Sequence, residues 1–460
     1  MRMRVNLDFR SLNLEFDSTT PYQNIGKIHS SQGLVYEASI PRAILGCKVE
    51  FVTQSGNRCF GEVVSIDGAR CKIMPYEDII GVNSLTKIYL RELTTHVNVG
   101  QGLLGRVIDF QGEPIDGKGP IKGDLSPRSI YQPPINPLKR PPIREVIDTG
   151  ISAVNAFLTT GKGQRLSILA GSGVGKSTLM GMIARNTNAQ VNVIALVGER
   201  GREVLEFIES DLGTEGLKRS VVLVATSDSS ALIRSKAAFS ATTIAEYFRD
   251  QGLDVIFMMD SVTRFAMANR EIGMSIGEPP GQKGYGPSVF AKLPKLMERA
   301  GTIKGGGSIT GIYTVLVEGG DMDEPIADAV RAIADGHVVL SRELAAKNHY
   351  PAIDVLESVS RVMPNVVSKE HKIVAAHLRD LLSAYRESED LINVGAYVRG
   401  TNAKVDKALV IIDELNDFLK QDVGVSFNLG DVFDRMVEIA RRAETEVDPS
   451  FLNDEGEEAS

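Results

Sequence analysis

One stretch restricts what this chain can fold into: Ala170-Gly-Ser-Gly-Val-Gly-Lys-Ser-Thr178, between a short apolar run at 165–169 and a segment with helical spacing at 178–185. The order strand, glycine-rich loop, helix gathers backbone N–H groups and the positive end of a helix at one spot, an arrangement that binds phosphate. Gly171, Ser172, Gly173, Val174 and Gly175 would wrap phosphate oxygens. Lys176 would reach the β- and γ-phosphates, and Ser177 would ligate Mg²⁺. The first position of the G-x-x-x-x-G-K-[ST] pattern is Ala170 rather than glycine, the smallest change available. An ordinary glycine-rich turn is the plainer alternative, and the flanking strand and helix argue against it. The chain is expected to bind a nucleoside triphosphate.

Composition sets the surroundings. The 460 residues are 43% hydrophobic and 24% charged, proportions of an ordinary globular protein. The length corresponds to about three domains. The net charge of −8 argues against a general attraction to nucleic acid, and no nucleic-acid partner is expected. Cys47, Cys59 and Cys71 show no paired metal-ligand spacing; an odd, small number of thiols fits a reducing cytoplasm. Met1–Phe9 lacks the apolar core of a secretory signal, and no stretch approaches the roughly 18 apolar residues of a membrane span. A cytoplasmic protein is expected, in contact with membrane only through partners.

Three regions follow one another. From Asn24 to about Leu93, short β-rich runs alternate with turns at Ser55-Gly56 and Asp67-Gly68, the pattern of a small barrel or sandwich. A Pro- and Gly-rich linker follows, including Gln132–Pro137 and Arg140–Pro142. Between about Thr149 and Pro364, helical segments alternate with apolar runs at 191–197, 221–225, 255–259 and 308–317, which implies a parallel sheet covered on both faces. From about Ser368 the pattern is helical, and the acidic stretch Phe451–Ser460 reads as disordered.

Two carboxylates supplement the loop. Val255–Asp260 is an apolar strand ending in an acid, the Walker B form, so Asp260 would hold Mg²⁺ through its water shell. Gly198-Glu-Arg200 follows another apolar run, which puts Glu199 at the same edge of the sheet, able to polarise the attacking water. The alternative is a simple surface pair of Glu199 with Arg200.

These motifs, with Asp260-Ser-Val-Thr-Arg264, resemble the rotary ATPase and type III export ATPase superfamily over nearly the whole chain from Gly26. Within it the sequence is most similar to the flagellar protein export ATPases. Met74-Pro-Tyr76, Gly102–Val107, Glu278-Pro-Pro280, Pro287–Pro294, Glu324–Asp328 and Asp335-Gly-His337 carry that likeness, as does the alanine at 170. Gly281-Gln282 and Gly286 depart from it. The resemblance implies an α/β chain with an N-terminal small β-barrel, a central RecA-like P-loop domain with a parallel sheet, and a C-terminal helical domain. The corresponding division is 1–23 as an N-terminal segment, 24–95 as the barrel and 96–364 as the nucleotide domain with its linker 96–148. Residues 365–450 are then the helical domain and 451–460 the acidic tail.

The resemblance further implies that Lys176, Ser177 and Thr178 hold phosphates and metal. Glu199 is then the catalytic carboxylate with Arg200 its neighbour, Asp260 the Walker B acid, and Arg264 a contact for the γ-phosphate region. Tyr350 would stack on adenine, although a tyrosine before proline is otherwise more often a core residue. Arg361 matches the finger that one subunit donates to its neighbour's nucleotide; without the resemblance it reads as a surface salt-bridge partner. ATP and Mg²⁺ are implied, as is a homohexamer peripheral to the inner-membrane export apparatus. The implied partners are a stator-like regulator, a central stalk, an export gate and chaperone–cargo complexes. The regulator would bind the extreme N-terminus, where Val5–Phe16 shows period-2 alternation rather than an amphipathic helix.

Competing readings are the injectisome ATPase, a rotary ATP synthase catalytic subunit, an inactive nucleotide-binding ring subunit and an RNA-translocating hexamer. The inactive subunit would lack the carboxylate that Glu199 provides. The RNA motor would need a basic N-terminal domain rich in aromatics, which is not present.

Overall fold

The computed structural model describes residues 25–317, 321 and 323–445; the expectations for 1–23 and 451–460 lie outside them. Two compact units are distinguished, one running to Thr95 and including Glu271–Pro279, the other formed by His96–Arg270 with Pro280 onward. Among the described residues no helix is long and apolar enough to cross a membrane.

In the first unit six strands close into a barrel: β1 (Ile25–Gln32), β2 (Val35–Ser39), β3 (Lys48–Val52), β4 (Arg58–Asp67), β5 (Arg70–Pro75) and β6 (Lys87–Glu92), in the spatial order β1-β2-β5-β4-β3-β6. Val49, Phe51, Val63, Ile73 and Ile88 fill its interior. The thiols of Cys47 and Cys71 are buried there and unpaired, and burial pushes the Cys71 thiol up to about 11. Closure satisfies the backbone of both would-be edge strands. Of the two architectures that the strand spacing allows, barrel and sandwich, the structure is the barrel.

The second unit is built on a nine-stranded sheet. Its strands are β7 (Arg106–Ile108), β8 (Arg165–Ala170), β9 (Val191–Val197), β10 (Ser220–Ala225), β11 (Asp254–Asp260), β12 (Ser308–Leu316), β13 (Gly336–Leu340) and β14 (Ile353–Ser360). They lie in the order β14-β13-β8-β12-β11-β9-β10-β7, with the short Gly301–Thr302 strand beside β12. From β13 to β7 all neighbours are parallel. β14 pairs antiparallel with β13 at one edge. β9 and β10 are buried along their whole length, because helices cover both faces and no alternating polar face is needed. The linker read at 96–148 contributes β7, the opposite edge strand.

The helices that matter for the site are α1 (Lys176–Asn186), α2 (Ala231–Asp250), α3 (Val262–Ile276), α4 (Arg342–Ala346), α5 (Lys369–Asn393), α6 (Ala403–Leu419) and α7 (Leu429–Thr445). Their starts are set by side-chain caps: Ser230, Ser341, Ser368 and Asn402 each accept a hydrogen bond from a backbone N–H of the first turn, a contact worth about 1 kcal/mol. Leu378, Leu381, Ile411, Leu415, Met436 and Ile439 of α5–α7 share one continuous core with Ile168 of β8 and Ile183 of α1. The terminal helices thus pack against the phosphate-loop side of the same unit.

A phosphate-loop site with two carboxylates

Parallel pairing aligns the carboxyl ends of β8, β11 and β9, and the residues that follow them converge there. Ala170 ends β8, and the loop 171–175 leads directly into α1. Two glycines make this turn feasible: Gly173 and Gly175 have φ of 77° and 88°, a region costly for residues with a Cβ. Val174, between them, is buried in the core and anchors the loop. Ser177 and Thr178 are half-buried in the first helical turn.

Lys176 is the hub. Its Nζ lies 2.5 Å from Asp260 Oδ1, at the end of β11, and 3.8 Å from Glu199 Oε1, two residues past the end of β9. Thr314 Oγ1 on β12, the strand between β8 and β11, stands 2.8 Å from Asp260 Oδ1 and fixes that carboxylate. All three charged side chains are largely buried, at 11% exposed for Lys176, 14% for Glu199 and 4% for Asp260. Glu199 Oε1 is buried with no hydrogen-bond partner. Burial first, and then the Asp260 charge, push the Glu199 carboxyl up to about 7, with Lys176 acting in the opposite direction. A carboxylate so placed is poised between acid and base at neutral pH and keeps a lone pair free for a water.

Arg264, near the start of α3, lies against Gly198: a methyl there would stand 2.7 Å from Arg264 Cβ. Its Nε is buried and unpartnered, and its charge helps to hold the Glu199 proton off. Arg200 is turned outward, 75% exposed, and pairs with Glu203 at 3.4 Å rather than with Glu199. The surface pair of Glu199 with Arg200 is therefore not formed, and Arg200 does not reach the cluster around Lys176.

Tyr350 is beside the loop. Its ring is 3.5 Å from where a methyl on Gly175 would stand, and it is 42% exposed rather than a core residue. It lines a cleft of about 550 Å³ with Thr178, Leu179, Met182, Lys420 and Asp422. Its carbonyl accepts from Gln421 N–H at 2.9 Å. Gln421 itself donates to the carbonyls of Gly150 and Val425 and accepts from Ser152 N–H. The cleft wall contributed by 420–423 lacks a motif, and sequence reasoning did not find it.

Arg361 is elsewhere. It follows the last residue of β14, where its N–H bonds Asp335 O, and Asp335 N–H bonds Arg165 O at the start of β8. The phosphate loop begins at the other end of β8, five rises or about 16 Å away. Arg361 is exposed and, among the described residues, pairs with no carboxylate; Nη1 reaches only Ala334 O at 3.3 Å. It cannot serve the phosphate loop of its own chain.

The donors available to a metal are a serine hydroxyl, Ser177, and carboxylates, Asp260 and Glu199, a set of oxygens suited to a hard cation. Among the described residues no cluster of three or more His, Cys, Asp or Glu could hold an ion alone. A cation here would be held by Ser177 and Asp260, and the buried Glu199 Oε1, which has no hydrogen bond, is consistent with a polar group beside it.

Residues 150–360 match the ATP synthase alpha/beta family, nucleotide-binding domain, and residues 367–438 match the T3SS EscN ATPase C-terminal domain. The flagellum-specific ATP synthase of Bacillus subtilis is 55% identical over 407 residues, 88% of this chain and 92% of that one. The chain belongs to the flagellum-specific ATP synthase family. Like the other members it is an ATPase. The type 3 secretion system ATPase of Xanthomonas euvesicatoria is 52% identical over 360 residues, 78% of this chain and 81% of that one. Among solved structures, the assembled ATPase EscN in complex with its central stalk EscO, from the type III secretion system of enteropathogenic E. coli, superposes with a TM-score of 0.84. The identity is 43%, covering 90% of this chain and 100% of that one. The barrel, central sheet and terminal helices of the family fold are those expected from the sequence.

Proposed function

We propose that this flagellum-specific ATP synthase homologue hydrolyses ATP at sites between copies of itself, energising or priming export of flagellar proteins through a type III apparatus. The observation that carries this reading is the buried Oε1 of Glu199, without a hydrogen bond and held beside Lys176 and Asp260 at the mouth of the phosphate loop. The N–H groups of 171–175 and the Lys176 amine hold the phosphate chain. Glu199 orients a water and takes its proton. Ser177, Thr178 and Asp260 are assigned to the phosphates and Mg²⁺; an ion held there would supply Lewis-acid stabilisation of negative charge on the phosphates. Arg264 is assigned to the γ-phosphate region. Arg200 remains a candidate only through its place next to Glu199 in the chain.

Arg361 is assigned to a neighbour's nucleotide, since its own is at the far edge of the sheet. That requires an oligomer, and a ring of six is proposed on family resemblance. A central stalk is proposed by analogy with EscN and EscO. A stator-like regulator, an export gate and chaperone–cargo complexes are proposed on resemblance, as are the division into five segments and a cytoplasmic location at the inner membrane. The higher identity to the flagellar relative, 55% against 52% and 43% for the two injectisome ATPases, favours flagellar cargo.

Glu199→Gln tests the reading. ATP affinity is retained while turnover falls about 10²–10⁴-fold, the contribution of a positioned general base. In the parent, kcat/KM rises with pH through about 7, because the ionised carboxylate is required and the free-enzyme carboxyl titrates there. That limb is absent in the variant. An unchanged turnover number removes Glu199 from the mechanism. Tyr350→Ala weakens ATP binding by about 1–3 kcal/mol, the worth of stacking on a base, and leaves Mg²⁺ dependence unaltered; an unchanged dissociation constant removes Tyr350 from the site.

A further inference from the structure

The phosphate loop is approached from a second side by a cation that the proposed mechanism does not use. β13 runs parallel to β8 with Leu340 opposite Ala170, so Arg342 leaves its strand beside Gly171 as that residue leaves its own. Ser341 fixes the exit: its N–H bonds Ala352 O at 2.9 Å, and its Oγ accepts from Leu344 N–H. The guanidinium then lies against the loop. A methyl on Gly171 would stand 2.7 Å from Arg342 Nε, 2.9 Å from Nη2 and 3.1 Å from Cζ. Gly171 has no positive φ; a methyl there would make the guanidinium, the far end of a flexible side chain, shift away from the loop.

Arg342 is exposed and, among the described residues, its guanidinium has no ion pair and no hydrogen bond. The charges across the site are differently placed. Lys176 is engaged by Asp260 and Glu199, and Arg264 sits by Gly198 and Glu199 on the β9–β11 side. A triphosphate brings more negative charge than one already shared amine offsets. On the β13 side of the loop Arg342 is, among the described residues, a cation without a counter-charge, and its planar fork suits phosphate oxygens.

We propose that Arg342 is a further nucleotide-binding residue, a cation at the shoulder of the phosphate loop that recognises the charge of the polyphosphate and favours ATP over ADP. The proposal rests on the nucleotide-site reading above, and the experiment separates the two. The full-length chain and its Arg342→Gln, Arg342→Lys, Gly171→Ala and Lys176→Ala variants are titrated with ATP and with ADP under non-hydrolysing conditions at low and high salt.

Arg342→Gln is expected to weaken ATP about 10-fold, as for a lost charge-assisted bond, and ADP by clearly less. The salt dependence of ATP binding becomes shallower, and Arg342→Lys recovers part of the ATP preference. Gly171→Ala, which displaces the guanidinium, reproduces the loss of preference. ATP and ADP weakened equally, with no rescue by lysine, would make Arg342 a packing brace and overturn the proposal. Unchanged affinities in Arg342→Gln overturn it too, while loss of binding in Lys176→Ala keeps the nucleotide site itself. Wild-type binding by Lys176→Ala would overturn both.

Discussion

Arg361→Ala lowers ATP turnover about 10³–10⁵-fold, the range for an arginine that neutralises charge in phosphoryl transfer, or roughly 4–7 kcal/mol of barrier. ATP binding by the isolated subunit does not change. Both halves of this expectation come from where the residue sits. Its backbone is tied to Asp335, and through it to Arg165 at the start of β8, one strand length from Gly171. An arginine there, exposed and, among the described residues, without a carboxylate, loses only the long Nη1 bond to Ala334 O, so the variant folds as the parent does. Turnover and a dissociation constant for ATP, measured on the same preparation, check it. Turnover within a few-fold of the parent would make Arg361 an ordinary surface residue.

Lys176→Ala abolishes measurable ATP binding and with it hydrolysis. Among the described residues the amine is the side-chain cation that reaches both carboxylates of the site. Without it, Asp260 and Glu199 face an incoming polyanion with their charge offset only by the more distant Arg264, and the phosphate chain loses its direct cationic partner. The same removal takes away the larger of the two cations that pull the Glu199 carboxyl down, leaving Arg264, so the acid is protonated to higher pH in the variant and is a poorer base at neutrality. Equilibrium titration with ATP and a hydrolysis assay provide the check. A variant that binds and turns over normally would show that 170–178 is not the nucleotide site.

The parts of the fold legible in the sequence were those with local signatures. The four apolar runs fall within a residue or two of β9–β12, because a strand buried on both faces is apolar throughout. The loop at 170–178 was legible because phosphate binding needs a particular order of glycines, lysine and serine. Asp260 was legible because an acid ending an apolar strand, common by itself, gains meaning downstream of a phosphate loop, and Glu199 because a glycine-ended run points it to the same edge. What was not legible depends on contacts distant in the chain. β7 is three residues inside a Pro- and Gly-rich stretch, recruited by β10 more than a hundred positions later. Thr314 is an ordinary strand threonine until β12 slots between β8 and β11 and brings its hydroxyl to Asp260. Arg342 and the cleft wall at 420–423 meet the loop only through the register of β13 and the packing of the terminal helices. Arg361 and Tyr350 were singled out by resemblance, and their different environments, one far from the loop and one beside it, emerge only in three dimensions.

The central claim is that the hydrolytic centre is completed between subunits, and mixing two inactive variants tests it most directly. Glu199→Gln retains Arg361, and Arg361→Ala retains Glu199. Each alone is expected to be nearly inactive at every protein concentration. Mixed and allowed to exchange, they form interfaces in which an intact Glu199 faces an intact Arg361 of its neighbour. ATP hydrolysis by the mixture, rising with total concentration well above the sum of the two separate preparations, is the predicted result. A mixture no more active than its components, under conditions where the subunits demonstrably co-assemble, would contradict a shared site.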